Sequence, residues 1–128
     1  MMKYKVIHKP WGSYKQFCEN EKVTVKIHSI KRGETSSYQT HHKRSELWIP
    51  LTTGLMIQID GKTSSPRKWK RIFIKKGIPH RFYASKNNVS VLEICFGTYH
   101  DNDIVRHFDK YGRETKKHRH GIWFWRKK

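Results

Sequence analysis

The stretch Gln39-Thr40-His41-His42-Lys43-Arg44-Ser45-Glu46 gathers residues that ligate metal ions. On an extended strand, residues two apart share a face, so Gln39 and His41 point one way and His42 the other. Glu46 follows five residues after His41, across or just past a turn. A distant stretch, Lys75-Lys76-Gly77-Ile78-Pro79-His80, reads as a turn that ends in a histidine. Two imidazoles, one carboxylate and one amide oxygen form a mixed N/O donor set that suits a divalent ion. The set contains no cysteine, so it does not read as a structural zinc site, and it leaves room for water or substrate as a further ligand. Spacing alone leaves a second reading open, in which histidines near a strand end are polar surface.

The elements that would position these groups are short and alternating. Val23, Val25 and Ile27 alternate with Thr24, Lys26 and His28; Leu55, Ile57 and Ile59 alternate with Met56, Gln58 and Asp60. Val89, Val91, Glu93 and Cys95 alternate with Ser90, Leu92, Ile94 and Phe96, and Ile72-Phe73-Ile74 reads as a brief buried strand. β-Branched alternation bounded by turns is a strand signal. Turns fall at Lys31-Arg32-Gly33-Glu34, Thr52-Thr53-Gly54, Asp60-Gly61, Lys76-Gly77 and Lys86-Asn87-Asn88. Asp60-Gly61 predicts a tight hairpin, whose two central residues need positive φ. Many short strands at this spacing predict an all-β sandwich or barrel, with no amphipathic helix and no internal repeat.

A chain of 128 residues is one domain's worth. Lys and Arg number 28 against 10 acids, for a net charge of +18. Residues 62–76 hold seven cations and no acid, and residues 114–128 hold six cations and one acid, so the excess sits in one loop region and one tail. Such runs are usually solvated surface, and otherwise contact polyanions. The tail ends in Ile122-Trp123-Phe124-Trp125. It reads as a mobile appendage, a membrane-surface, nucleic-acid or other acidic-surface contact, or a strand docking on a partner subunit. His118 and His120 alone make a weak metal site. No apolar run approaches the ~20 residues of a membrane span, and the start lacks a secretory h-region. Cys18 and Cys95 are too few for a disulfide framework, which makes a reduced, cytoplasmic compartment the expectation.

Several motifs in order carry a family resemblance. Gly33, Gln39-Thr40-His41, Glu46 and Gly54 resemble the first motif of the cupin superfamily, and residues 71–80 resemble the second. Within that superfamily the sequence is most similar to type II mannose-6-phosphate isomerases. The likeness runs through Lys9-Pro10-Trp11-Gly12-Ser13-Tyr14, residues 39–48, residues 73–80, and Asp103-Ile104-Val105-Arg106 onward to Asp109-Lys110-Tyr111-Gly112-Arg113. Departures occur at Lys43 and Leu47, where the family often has histidine, at Lys75, where it has proline, at Lys70 or Arg71 for an aspartate, and at Cys95 in Glu93-Ile94-Cys95. None removes a ligand position; they bear on substrate choice.

The resemblance implies a cupin double-stranded β-helix over residues 1–113, a jelly-roll barrel, followed by the basic tail at 114–128. It places Gln39, His41, Glu46 and His80 at the ligand positions for one divalent ion: zinc, manganese, cobalt, nickel or iron. It implies interconversion of mannose 6-phosphate and fructose 6-phosphate, feeding mannose activation for polysaccharide building. Such domains often follow a mannose-1-phosphate guanylyltransferase, for which 128 residues leave no room. On this reading a cation must grip the phosphate, and Arg113, then Lys26 and Arg44, are the candidates. A base must move a proton between C1 and C2, for which Lys26, desolvated on its strand, and Glu93, directed into the barrel, are the candidates. Family analogy adds a homodimer. Two other readings are kept: a cupin acting on a nucleotide sugar, and a non-enzymatic basic module binding nucleic acid or an acidic surface.

Overall fold

The computed structural model describes residues 5–117 and 123–125. Among them there are strands and turns and no helix, so none is long and apolar enough to cross a membrane. In chain order the strands are β1 (Lys5–Lys9), β2 (Gly12–Gln16), β3 (Val23–Ile30), β4 (Tyr38–Thr40), β5 (Arg44–Pro50), β6 (Leu55–Ile59) and β7 (Lys62–Ser64). β8 (Ile72–Ile74), β9 (His80–Ala84), β10 (Val89–Gly97), β11 (Val105–Phe108), β12 (Thr115–Lys117) and β13 (Trp123–Trp125) complete them. Two antiparallel sheets form the body, in the orders β3-β10-β5-β8 and β11-β4-β9-β6-β7. The expected all-β architecture is therefore met. So is the hairpin at Asp60-Gly61, whose φ values of 49° and 80° match a turn with two left-handed central residues.

The core lies between the sheets and is built from the alternating residues the sequence offers. Trp48, fully buried, packs with Leu55, Ile57, Ile74, Phe82, Val89 and Val91. One strand turns its polar set inward, as the reading of Lys26 as a desolvated side chain expects. Val25 and Ile27 of β3 are 56% and 64% exposed. The register explains this. Lys26 pairs with Glu93 and Glu93 with Trp48, so these three share the inner face, while Val25 pairs with Ile94 and Ile94 with Leu47 on the outer one. That outer face carries its own apolar cluster of Leu47, Ile49 and Ile94, flanked by Phe17, Val23, Leu92 and Phe96. Apolar alternation on β3 thus marks a sheet with two apolar faces rather than the direction of the core.

The expected mobile tail is only partly described. β12 pairs with β13, and Arg106 N donates to Thr115 Oγ1 at 2.9 Å. His118 and His120 lie outside the described residues.

Candidate metal centre

His41 and His80 come together because β4 and β9 are neighbours. Gln39 of β4 sits opposite His80 of β9, so the two share the inner face. The turn before β9 is tied to the first motif: Gly77 N donates to the His41 carbonyl at 2.8 Å, with Gly77 at φ +81°. Glu46 enters from the facing sheet, on β5 beside Cys95 of β10. His41, Glu46 and His80 are all buried, and their ligand atoms lie within 4.8 Å of one another. His42, as its alternation predicts, is exposed.

The imidazoles are held in one orientation. His41 Nδ1 donates to the Asp103 carbonyl and His80 Nδ1 to the Ile78 carbonyl, each at 2.7 Å. These bonds put the proton on Nδ1 and leave the Nε2 lone pairs facing Glu46, the arrangement of metal-ligating histidines. His80 Nε2 lies 3.1 Å from Glu46 Oε1 and His41 Nε2 lies 3.6 Å from Glu46 Oε2. Burial keeps His41 below the usual imidazole range despite the Glu46 carboxylate, so the ring is in its neutral, ligating form. Glu46 Oε1 and His80 Nε2 are buried without a hydrogen-bond donor. Two lone pairs 3.1 Å apart with no hydrogen between them call for a cation, and the residues present fit a divalent ion.

Gln39 is nearby but turned. Its Nε2 lies 3.3 Å from His41 Nε2 and its Oε1 accepts from Ser37 Oγ at 2.7 Å, so ligation through oxygen requires rotation of the amide. In a second cluster, Glu46, Glu93 and Cys95, the ligand atoms also lie within 4.8 Å of one another. Its thiol is pushed up by burial and by the two carboxylates, so Cys95 is a proton donor to Glu93 and Glu46 rather than a thiolate ligand.

The residues assigned to phosphate and base fare differently. Arg44 is buried, with Nε donating to Glu46 Oε2 at 3.3 Å, a terminal nitrogen 3.1 Å from His41 Nε2 and another donating to the His100 carbonyl at 3.2 Å. Its donors are turned onto the metal-ligand candidates, not toward a phosphate. Arg113 is clasped by Asp109 through two bonds of 2.9 Å at the protein's rim. Lys26 does point inward, but it donates to the Tyr99 hydroxyl. Burial pulls its pKa down; the Tyr99 bond and nearby Glu93 outweigh this and raise it. A cationic lysine is a poor base and a good anion contact. Glu93 is buried and accepts from Trp48 Nε1 at 3.1 Å, with His28 Nε2 at 3.2 Å and Cys95 Sγ at 3.3 Å. Burial alone would raise its pKa, but the His28 bond and charge, with Cys95 and Trp48, bring it down to about 2.

Two residues were missed by sequence reasoning. Arg106 of β11 pairs with Gln39, which places it on the face of Gln39 and His80. His28 of β3 points inward at Glu93. The alternation of Thr24, Lys26 and His28 carried the signal for His28, but its sense was masked by the outward apolar set.

Comparison with known proteins accords with this geometry. The family described as Mannose-6-phosphate isomerase C-terminal matches residues 1–110. The mannose-1-phosphate guanylyltransferase of Escherichia coli (strain K12) is 30% identical over 112 residues, which cover 86% of this chain and 23% of that protein. The alginate biosynthesis protein AlgA of Pseudomonas aeruginosa is 31% identical over 112 residues, with the same coverage of 86% and 23%. The chain thus spans about a quarter of the length of these curated relatives. Among solved structures, a dTDP sugar isomerase from Desulfovibrio desulfuricans superimposes with a TM-score of 0.61 at 10% identity, over 85% of this chain and 83% of that one. A cupin protein from Bacteroides fragilis gives 0.54 at 19% identity, over 63% and 75%. These two show the fold alone, which is the cupin jelly roll. The sequence match over most of the chain goes further: this chain belongs to the family of mannose-6-phosphate isomerase C-terminal domains.

Proposed function

We propose that this domain is a metal-dependent aldose–ketose isomerase of the type II class that interconverts mannose 6-phosphate and fructose 6-phosphate. The observation that carries the reading is the inward group of His41, Glu46 and His80, with two Nε2 lone pairs and a carboxylate converging in a buried space. His41, Glu46 and His80 would hold the divalent ion, with Gln39 as a fourth ligand after its amide rotates. When bound, the ion would supply Lewis-acid polarisation of the substrate carbonyl.

The chain's own residues do the remaining work. Asp103 and Ile78 carbonyls fix the imidazoles, and Arg44 offsets the charge of Glu46. Lys26 presents an inward cation beside Tyr99, and Arg106 adds a guanidinium on the Gln39 face, so these two suit the phosphate better than Arg113 or Arg44. The names of the relatives, concerned with mannose 1-phosphate and alginate, support a setting in carbohydrate biosynthesis.

The test is a coupled assay on purified protein loaded in turn with zinc, manganese, cobalt, nickel and iron. Formation of fructose 6-phosphate from mannose 6-phosphate with at least one ion is expected. No turnover with any of them would overturn the proposal.

A further inference from the structure

The segment between β7 and β8 carries a charge that the metal centre does not use. Residues 62–76 hold seven cations and no acid. β7 ends one sheet and β8 ends the other, so residues 65–71 link the two sheets at one flank of the barrel. The link is tied down. Ser65 Oγ donates to the Leu55 carbonyl at 2.9 Å, and Pro66 is buried. Trp69 N donates to the Pro50 carbonyl at 2.8 Å and Lys70 N to the Arg67 carbonyl at 3.1 Å. These bonds hold Trp69 at φ +72°, a left-handed backbone that bulky residues rarely adopt. Trp69 is 61% exposed, with Lys68 Nζ 5.7 Å from its ring centroid. Arg67, Lys68 and Lys70 are exposed beside it, and among the described residues no carboxylate pairs with them. Core packing does not account for this tryptophan. Nor do the cavities of about 320 Å³ and 330 Å³ near Ser29 and Lys31, which no residue of the segment lines.

We propose that the Arg67–Lys70 turn is a docking surface for an anionic lipid bilayer, with Trp69 at the headgroup level and Arg67, Lys68 and Lys70 against the lipid phosphates. The proposal stands apart from the isomerase reading. The charges are complementary, since basic residues close to an anionic leaflet are attracted to it. The indole suits the same place, because it combines an apolar body with one N–H donor and favours membrane–water interfaces. The backbone N–H groups of Trp69 and Lys70 are already bonded within the protein, so approach to the lipid leaves neither without a partner. Single-stranded nucleic acid is the other polyanion that uses aromatic faces, and it is bound by successive aromatic side chains along a basic groove. Residues 62–72 offer Trp69 as their one aromatic, which favours the bilayer.

The experiment floats the full-length chain with vesicles of phosphatidylcholine alone and of equimolar phosphatidylcholine and phosphatidylglycerol. Three variants accompany the wild type. One combines Arg67→Gln, Lys68→Gln and Lys70→Gln; one is Trp69→Ala; a control combines Lys15→Gln, Lys22→Gln and Lys86→Gln, which removes as many exposed cations elsewhere. Binding of a labelled oligothymidylate is followed in parallel by fluorescence anisotropy. Far-UV CD checks that each variant folds, and the two triple variants decide the outcome if Trp69→Ala does not.

Wild type is expected to bind the mixed vesicles and not the neutral ones, and to be released as salt rises. A basic residue near an anionic surface contributes roughly fivefold in partitioning, so the loop triple should fall roughly 100-fold and the control triple much less. Trp69→Ala should fall roughly tenfold. Wild type that ignores the mixed vesicles would overturn the proposal. So would a loop triple that binds like wild type, or equal losses in the two triples, which would assign binding to net charge rather than to this turn. Folded Trp69→Ala within about twofold of wild type would overturn the role of the indole and with it the proposal. Oligothymidylate binding that the loop triple loses, with vesicles left unbound, would assign the turn to nucleic acid instead.

Discussion

Trp48→Phe tests how the interior carries a buried carboxylate. Trp48 is fully buried, and its Nε1 donates to Glu93 Oε2 at 3.1 Å. His28 and Cys95 both meet the other oxygen of Glu93, Oε1. Phenylalanine keeps an aromatic ring near Phe82 and His80 but leaves Oε2 without that donor. A hydrogen bond to a charged group contributes about 1.5–3 kcal/mol, and the lost part of the indole adds roughly 1 kcal/mol of packing. The sum is about 2.5–4 kcal/mol, a large share of the 5–15 kcal/mol typical of a domain. With a urea m value of about 2 kcal/mol/M, the midpoint should fall by roughly 1.2–2 M. Urea titration followed by far-UV CD measures it directly. A double-mutant cycle with Glu93→Gln should return a coupling of at least about 1 kcal/mol. A midpoint shift under about 0.5 M together with no coupling would refute the claim that Trp48 holds the carboxylate.

The remaining predictions concern the same interior and its supports. Glu93 sits near pKa 2 rather than the ordinary 4.5, so the folded state binds fewer protons than the unfolded state between those values. Its contribution is complete above about pH 4.5 and is lost as pH falls toward 2, a total of about 3 kcal/mol; urea midpoints at pH 5, 4 and 3 should decline, and Glu93→Gln should flatten that decline. The Asp103 carboxylate accepts from His42 N and Lys43 N at 3.0 Å each while its carbonyl orients His41. Asp103→Ala should therefore weaken metal affinity roughly 10–100-fold by calorimetry, as loss of a support behind a ligand does; unchanged affinity would show that this loop does not position His41. Gly97 has φ +102°, and a Cβ there would lie 2.7 Å from the Lys43 carbonyl oxygen. Gly97→Ala should cost about 2 kcal/mol or more and lower the melting temperature by several degrees, read by calorimetry.

Much of the site was legible because its signals are local. Alternation placed Gln39 and His41 on one face and turned His42 away, and Glu93 was directed inward with Val91 and Cys95. The ligand set as a whole came from motif resemblance, since no local pattern says that β4 will lie beside β9. Where reading failed, a strand's partners decided the matter. On β3 the inward Lys26 was expected, but His28, which shares its face, was passed over because the Val and Ile residues of the strand line the other apolar face of the sheet. Lys26 was expected to lose charge by desolvation, and Tyr99, 73 residues away, reverses that. Arg44 was expected to meet phosphate, but its place two residues before Glu46 on one strand turns it onto the carboxylate. Arg106 became visible only through its pairing with Gln39. Pairing and charge partners are long-range properties, which periodicity does not encode.

The claim that two imidazoles and a carboxylate converge to hold an ion is tested most directly by metal binding itself. Calorimetric titration of the metal-free chain with zinc and with manganese, beside His41→Ala, His80→Ala and Glu46→Gln, reads stoichiometry and affinity at once. One ion per wild-type chain is expected, lost or greatly weakened in each variant, with the β-sheet CD signal of the two histidine variants retained. Equal binding by wild type and all three variants, or no binding by wild type, would contradict it.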